Sequence, residues 1–128
     1  MNRIAWLGLA VLALSAGAAR AEEDGKAWFL KRCAACHQSE GQGRPEQIPP
    51  LVNSPFLLDD DPGRVARLIL TGKAGMPEFH MFLADEQIAA ILTYARSSWG
   101  NKAGPITTEI VAEQRKELGD DGFRMIHN

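Results

Sequence analysis

Cys33-Ala34-Ala35-Cys36-His37 limits the folds open to this chain more than any other stretch. Two thiols three residues apart sit on one side of a single helical turn, and an imidazole follows at once. Thiols so placed can both add to the two vinyl groups on one edge of a porphyrin, forming two thioether bonds. The next residue then swings beneath the iron and offers a ring nitrogen as an axial ligand. C-x-x-C-H is the attachment pattern of a c-type haem. A chain carrying it has to build its core around a large, flat, apolar body.

Export permits disulfides, so a Cys33–Cys36 bridge is one alternative. A redox C-x-x-C of that kind belongs in a βαβ pattern, and this sequence does not alternate strands with helices. Zinc is another alternative. A structural zinc site needs four ligands, usually with a second close pair, whereas His80 and His127 stand alone. Haem is the reading that accounts for the cysteines and the histidine together.

The first 21 residues read as a leader. Arg3 supplies positive charge, Ile4 to Ala16 is almost wholly apolar, and Ala19-Arg20-Ala21 is an A-x-A cleavage pattern before acidic Glu22-Glu23-Asp24. This is a secretory signal peptide, cut after Ala21. A membrane anchor is the alternative, but its apolar run would need about 20 residues. Cleavage removes two of the 14 basic residues and none of the 16 acidic ones, leaving a mildly acidic product. That balance argues against nucleic acid as a partner. The expected location is the periplasm, with no stable membrane insertion after cleavage. A chain of this size is marginal on its own core. Burial of a haem adds on the order of 10 kcal/mol at about 25 cal/mol per Å², so the haem-free chain is expected to fold poorly.

The rest reads as all-α. Asp24 is placed to cap a first helix running to about Ala35, with Phe29, Cys33 and Cys36 on one face. Residues 38–55 hold Pro45, Pro49, Pro50 and Pro55 with Gly41 and Gly43, and read as a long loop wrapping the haem. Asp61-Pro62 starts a helix and Gly72 ends it, with Val65, Leu68 and Ile69 on one face. Asp85 to Ser98 is the next helix, with Ile88, Ile91, Leu92 and Ala95 at helical spacing. A last helix starts at Thr107 or Thr108 and runs to about Leu118. A loose tail follows from Gly119, with Met125 and His127 uninvolved. The expected divisions are a leader at 1–21, a haem domain at 22–101 and an extension at 102–128.

Iron held by His37 on one side needs a second ligand or an open site, and that choice decides function. Met76 stands between flexible Gly75 and rigid Pro77, which suits a loop held extended against a haem face. A thioether favours ferrous iron and raises the potential. Met81 and His80 are the competing ligands, although His80-Met81-Phe82-Leu83 reads better as packing. A methionine filling a core gap is the plainer use of Met76.

These residues together resemble a class I c-type cytochrome over roughly Gly25 to Asn101. Gly25 and Phe29 resemble that family's N-terminal helix contact, with Tyr94 and Ile91 as partners on the later helix. Pro49-Pro50-Leu51 resembles its Pro-x-Leu segment, which implies that the Pro49 carbonyl accepts the Nδ1–H of His37. Such a bond fixes tautomer and basicity. Met76-Pro77, Leu83 to Ile88 and Tyr94 to Asn101 look like a subgroup of single-haem cytochromes and cytochrome domains that accept electrons from periplasmic dehydrogenases. One departure is Ala84, where many relatives start the helix with Ser or Thr; Asp85 is expected to cap instead.

The resemblance implies a cytochrome c-like fold, with three to four short helices around one covalent haem c plus an extension helix. The implied cofactor-binding set is Cys33, Cys36, His37, Met76, Pro49, Phe29 and Tyr94, with His37 and Met76 on the iron. The expected function is carriage of single electrons from a periplasmic dehydrogenase or other donor to an oxidase or another cytochrome, without catalysis. The alternatives are a fixed subunit of a periplasmic oxidoreductase and a gas sensor or enzyme with an open iron site. Lys31, Arg32, Arg44, Arg64, Arg67 and Lys73 fall in stretches expected near the haem, either as a basic docking rim or as ordinary solvated surface.

Overall fold

The computed structural model describes the backbone of residues 21–126 and the side chains of residues 21–119. The leader reading, apart from Ala21, lies outside the described residues, as do the side chain of Met125 and all of His127.

Five helices make up the described fold: α1 (residues 21–32), α2 (Ala34–His37), α3 (Pro62–Thr71), α4 (Asp85–Ser97) and α5 (Thr108–Ile126). Among the described residues extended pairing is limited to two single bridges, Arg44 with Ile48 and Lys73 with Met76. None of these helices is long and apolar enough to cross a membrane.

Residues 21–23 are already helical, so Asp24 lies inside α1 rather than capping it. The helix buries Gly25 and Phe29, one turn apart, against α4. Gly25 permits that approach. A Cβ there would lie 2.4 Å from the Ala90 carbonyl oxygen and 2.9 Å from Tyr94 Cβ. Phe29, Tyr94 and Trp99 form one aromatic cluster, with ring centroids 5.1–5.7 Å apart. Their tilted and edge-on arrangement is the favoured one for aromatic pairs.

α3 follows its local signals closely. The Asp61 carboxylate accepts from the amides of Gly63 and Arg64 and satisfies two orphan donors, Pro62 occupies N1, and Gly72 ends the helix at φ 69°. Its buried residues are Val65, Ala66 and Leu70, while Leu68 and Ile69 are half-buried. The expected face was therefore offset by one residue, because α5 as well as α4 packs on α3.

α4 is the central element, burying Ile88, Ala89, Ile91, Leu92, Tyr94, Ala95 and Arg96. Asp85 is its first helical residue and Ala84 its cap position, which corrects the expected cap at Asp85. Gln87 substitutes in part: its Oε1 accepts from the Ala84 amide at 2.9 Å. This is half of a capping box. Asp85 instead faces Arg115 on α5.

The chain returns along α4 before α5. Thr93 Oγ1 donates to the Ile106 carbonyl and accepts from its amide, both at 3.1 Å. Thr107 Oγ1 accepts from the Ile110 amide and caps α5. Ile106, Val111 and Leu118 are buried, so the extension shares the main core. Gly119 leaves helical geometry (φ 46°, ψ −173°), and helical backbone resumes through Ile126, where the sequence led us to expect a loose tail.

Candidate functional site

The motif sits where α1 breaks. Cys33 has φ −117° and ψ −33°, and its carbonyl accepts from the amides of both Cys36 and His37. α2 is then one turn long, ended by Gln38 at φ 65°. Cys33 and Cys36 are free thiols, so the disulfide alternative is not realised. Burial, with a smaller contribution from Cys36, pushes the Cys33 thiol up to about 11. Among the described residues no three His, Cys, Asp or Glu side chains converge as a metal cage.

Burial pulls the pKa of His37 below its ordinary value, which favours the neutral, ligating imidazole. Its Nδ1 is buried and has no hydrogen-bond partner in the structure, which corrects the bond to the Pro49 carbonyl that the resemblance implied. Pro49 lies close by through the loop: the Gly43 amide donates to the His37 carbonyl, and a Cβ on Gly43 would lie 2.8 Å from the Pro49 carbonyl oxygen.

The loop after α2 is held by other elements. Arg44 Nη2 donates to the Ala35 carbonyl, and the Leu51 amide to the Gly41 carbonyl. Gly41 lies under the Trp99 ring, where a Cβ would come within 2.5 Å of a ring carbon. Asn101, 3% exposed, makes three bonds. Its Oδ1 accepts from the Asn53 amide, and its Nδ2 donates to the Leu51 and Ala95 carbonyls. Arg96, 5% exposed, donates to the carbonyls of Leu57, Asp59 and Gly104. Its pKa falls with burial, opposed by Asp59 and Asp60. Both polar residues went unremarked in the sequence, although a lone arginine beside Ala95 in an apolar helix was a usable signal.

Met76 is half-buried in the turn that follows α3. It lines an open groove of about 520 Å³ with Gly72, Lys73, Pro77 and Phe82, and neither the two cysteines nor His37 line that groove. Met81 is 71% exposed and Phe82 68%, which corrects the packing role expected of these two, while Leu83 of the same run is buried in the core. Phe56 is also exposed and lies beneath the Lys73 ammonium at 4.2 Å, so the loops carrying Phe56 and Met76 are neighbours. Of the six basic residues expected near the haem, Arg44, Arg64 and Arg67 are engaged by Ala35, Asp59 and Glu117 respectively.

The residues present fit a covalent haem. Two unpaired thiols stand one turn apart, an imidazole with a buried unpaired Nδ1 follows them, and Leu30 on α1, with Phe56, Met81 and Phe82 on later loops, leaves large apolar surface exposed. Cys33 and Cys36 would hold it covalently and His37 through iron.

Known proteins agree. The family model described as cytochrome C oxidase, cbb3-type, subunit III matches residues 20–94. A cytochrome c-552 of Thermus thermophilus is 30% identical, over 83% of this chain and 93% of that protein. The cytochrome c subunit of the quinone alcohol dehydrogenase of Gluconacetobacter polyoxogenes is 31% identical over 68% of this chain. The cytochrome c subunit of gluconate 2-dehydrogenase from Pantoea cypripedii is 30% identical over 74%. The chain spans only about a fifth to a quarter of the length of these two dehydrogenase subunits, 21% and 24%. With the helical fold and the motif on α2, these matches establish that the chain belongs to the class I c-type cytochromes and carries a cytochrome c electron-transfer domain.

Proposed function

We propose that this chain is an exported, single-haem electron carrier of the periplasm, with Cys33 and Cys36 attaching the haem and His37 and Met76 as axial ligands. When bound, the haem supplies reversible one-electron chemistry between ferrous and ferric iron. The protein's part is to attach it, fill both axial positions, bury it and leave an edge accessible. The observation that carries this reading is His37: a half-buried imidazole directly after two free thiols, its pKa lowered by burial toward the ligating neutral form. Phe29 and Tyr94 serve by packing α1 on α4 beside the motif. Residues 22–101 form the haem domain and 102–128 the extension.

The reading is tested on the exported protein. The ferric form should show a sulfur-to-iron charge-transfer band that Met76→Ala removes, and the ferrous form should not bind carbon monoxide at once. Immediate carbon monoxide binding would replace the carrier by an open-site sensor or enzyme.

A second reading, a fixed subunit delivering electrons from a dehydrogenase, draws on the dehydrogenase cytochrome c subunits among its relatives. The free carrier is favoured because the chain covers 93% of cytochrome c-552. Migration from native extract as a lone monomer supports the carrier; co-migration with a dehydrogenase supports the subunit.

A further inference from the structure

We propose that α5 latches the methionine-bearing segment, with Arg115 as its positioning residue, and so governs how readily an external base displaces Met76 from iron. This rests on the reading of Met76 as the sixth ligand. Residues 72–84, between α3 and α4, carry Met76 without a helix of their own. At its start the segment turns tightly on itself just past the end of α3, where a Cβ at Gly72 would lie 2.4 Å from the Met76 carbonyl oxygen. Downstream, the Phe79 amide donates to the Ile69 carbonyl.

Beyond Phe79 the segment turns, and the Met81 and Phe82 side chains at that turn are exposed. Leu83 beside them is buried, and the amides of Phe82 and Leu83 donate to the Phe79 carbonyl, which closes the turn locally. Arg115 ties that turn to α5. Its guanidinium donates to the His80 carbonyl at 2.5 Å, the Leu83 carbonyl at 2.9 Å and Asp85 Oδ1 at 2.7 Å. These acceptors bracket Met81 and Phe82 on both sides. A planar five-donor fork can meet three acceptors in fixed directions, which a lysine ammonium does less well. The pair is only 25% and 24% exposed, so its charge-assisted bonds are partly shielded from water.

Arg115 is itself well seated. Val111 and Leu118, one turn to either side on α5, are buried. Arg67 of α3 adds a separate tie, to Gln114 and Glu117. The extension thus grips the body through α3 and α4 and reaches over to the segment through one side chain.

The test is imidazole titration of the ferric, haem-loaded protein, following loss of the sulfur-to-iron band. Arg115→Gln is expected to bind imidazole about tenfold more tightly, the factor that corresponds to ~1.4 kcal/mol. Asp85→Asn, which leaves the two carbonyl bonds in place, should give a smaller increase, and it carries the test should Arg115→Gln not fold. Arg67→Gln loosens α5 on α3 only, and should change imidazole affinity by no more than about twofold. Wild-type imidazole affinity in Arg115→Gln, or in Asp85→Asn where it stands in, overturns the latch while the band still supports Met76. A wild-type protein lacking the band overturns the ligand reading and the latch with it.

Discussion

Asn101 offers a sharp test of how the loop beside His37 is held. It accepts from Asn53 at 2.9 Å and donates to Leu51 at 3.1 Å and Ala95 at 3.0 Å. Asn101→Ala removes all three bonds and leaves a small cavity in the heart of the fold. Each neutral bond is worth about 1 kcal/mol net, and a buried group left unpaired costs about 1–3 kcal/mol. The Ala95 carbonyl bond is buried and the other two are part-buried, where water can re-enter. The expected loss is therefore about 3 kcal/mol. For a domain near 100 residues that lowers Tm by roughly 10–20 °C. Thermal and urea unfolding of the haem-loaded protein, followed by circular dichroism, measures it. Asn101→Asp keeps the acceptor for Asn53 but turns a carboxylate oxygen toward two carbonyls, and should be at least as damaging at neutral pH. A loss below about 1 kcal/mol in Asn101→Ala would refute the reasoning, since it would mean the loop is held without this side chain.

Helix propensity favours Gly25→Ala by about 1 kcal/mol, yet its Cβ would meet the Ala90 backbone at 2.4 Å. The variant should be destabilised by about 1–3 kcal/mol in urea unfolding, as overpacked cores are; a stabilised protein would show that α1 does not cross α4 this closely. Arg96→Met should cost on the order of 3–5 kcal/mol, since three carbonyls lose a buried cation. Arg67→Met, whose ion pair with Glu117 is largely exposed, should cost under about 1 kcal/mol. High salt should narrow that smaller difference and leave the Arg96 effect standing. Equal costs at the two arginines would contradict the burial argument.

Features set by neighbours in sequence were readable, and features set by distant partners were not. Asp61, Pro62 and Gly72 each act within a few residues, so α3 could be bounded from sequence alone. The core positions Ile88, Ile91, Leu92 and Ala95 follow from helical spacing, and all are buried. The start of α4 was misread because Asp85, a sound local cap, is drawn away by Arg115, 30 residues on. Met81 was misread because apolar character alone does not say which way a turn faces. Asn101 reaches residues 48 and 50 positions earlier, and Arg96 reaches 37 and 39. A lone arginine in an apolar helix can flag a buried cation, but nothing near it in sequence says which carbonyls it reaches. The motif was legible for the opposite reason, since its chemistry is complete within five residues.

The loops that would flank the haem have little regular structure to satisfy their own backbones, and buried backbone groups must still be paired. Side chains from the C-terminal half do that pairing. Asn101 and Arg96 hold residues 51–59, Trp99 covers Gly41, and Arg115 holds residues 80–85. This arrangement suits an electron carrier. One-electron exchange is fast when the ligands move little between oxidation states, and a ligand on a loop is only as still as the groups that support it. A carrier of this build does not need a rigid scaffold beneath each ligand; it needs helix ends placed to tie the loops. By that logic residues after Asn101 belong to the function as much as the motif does. On the proposed ligand pair, cutting the Arg115 tie of α5 should loosen the methionine side of the site while leaving the histidine side, tied by Asn101 and Trp99, close to intact.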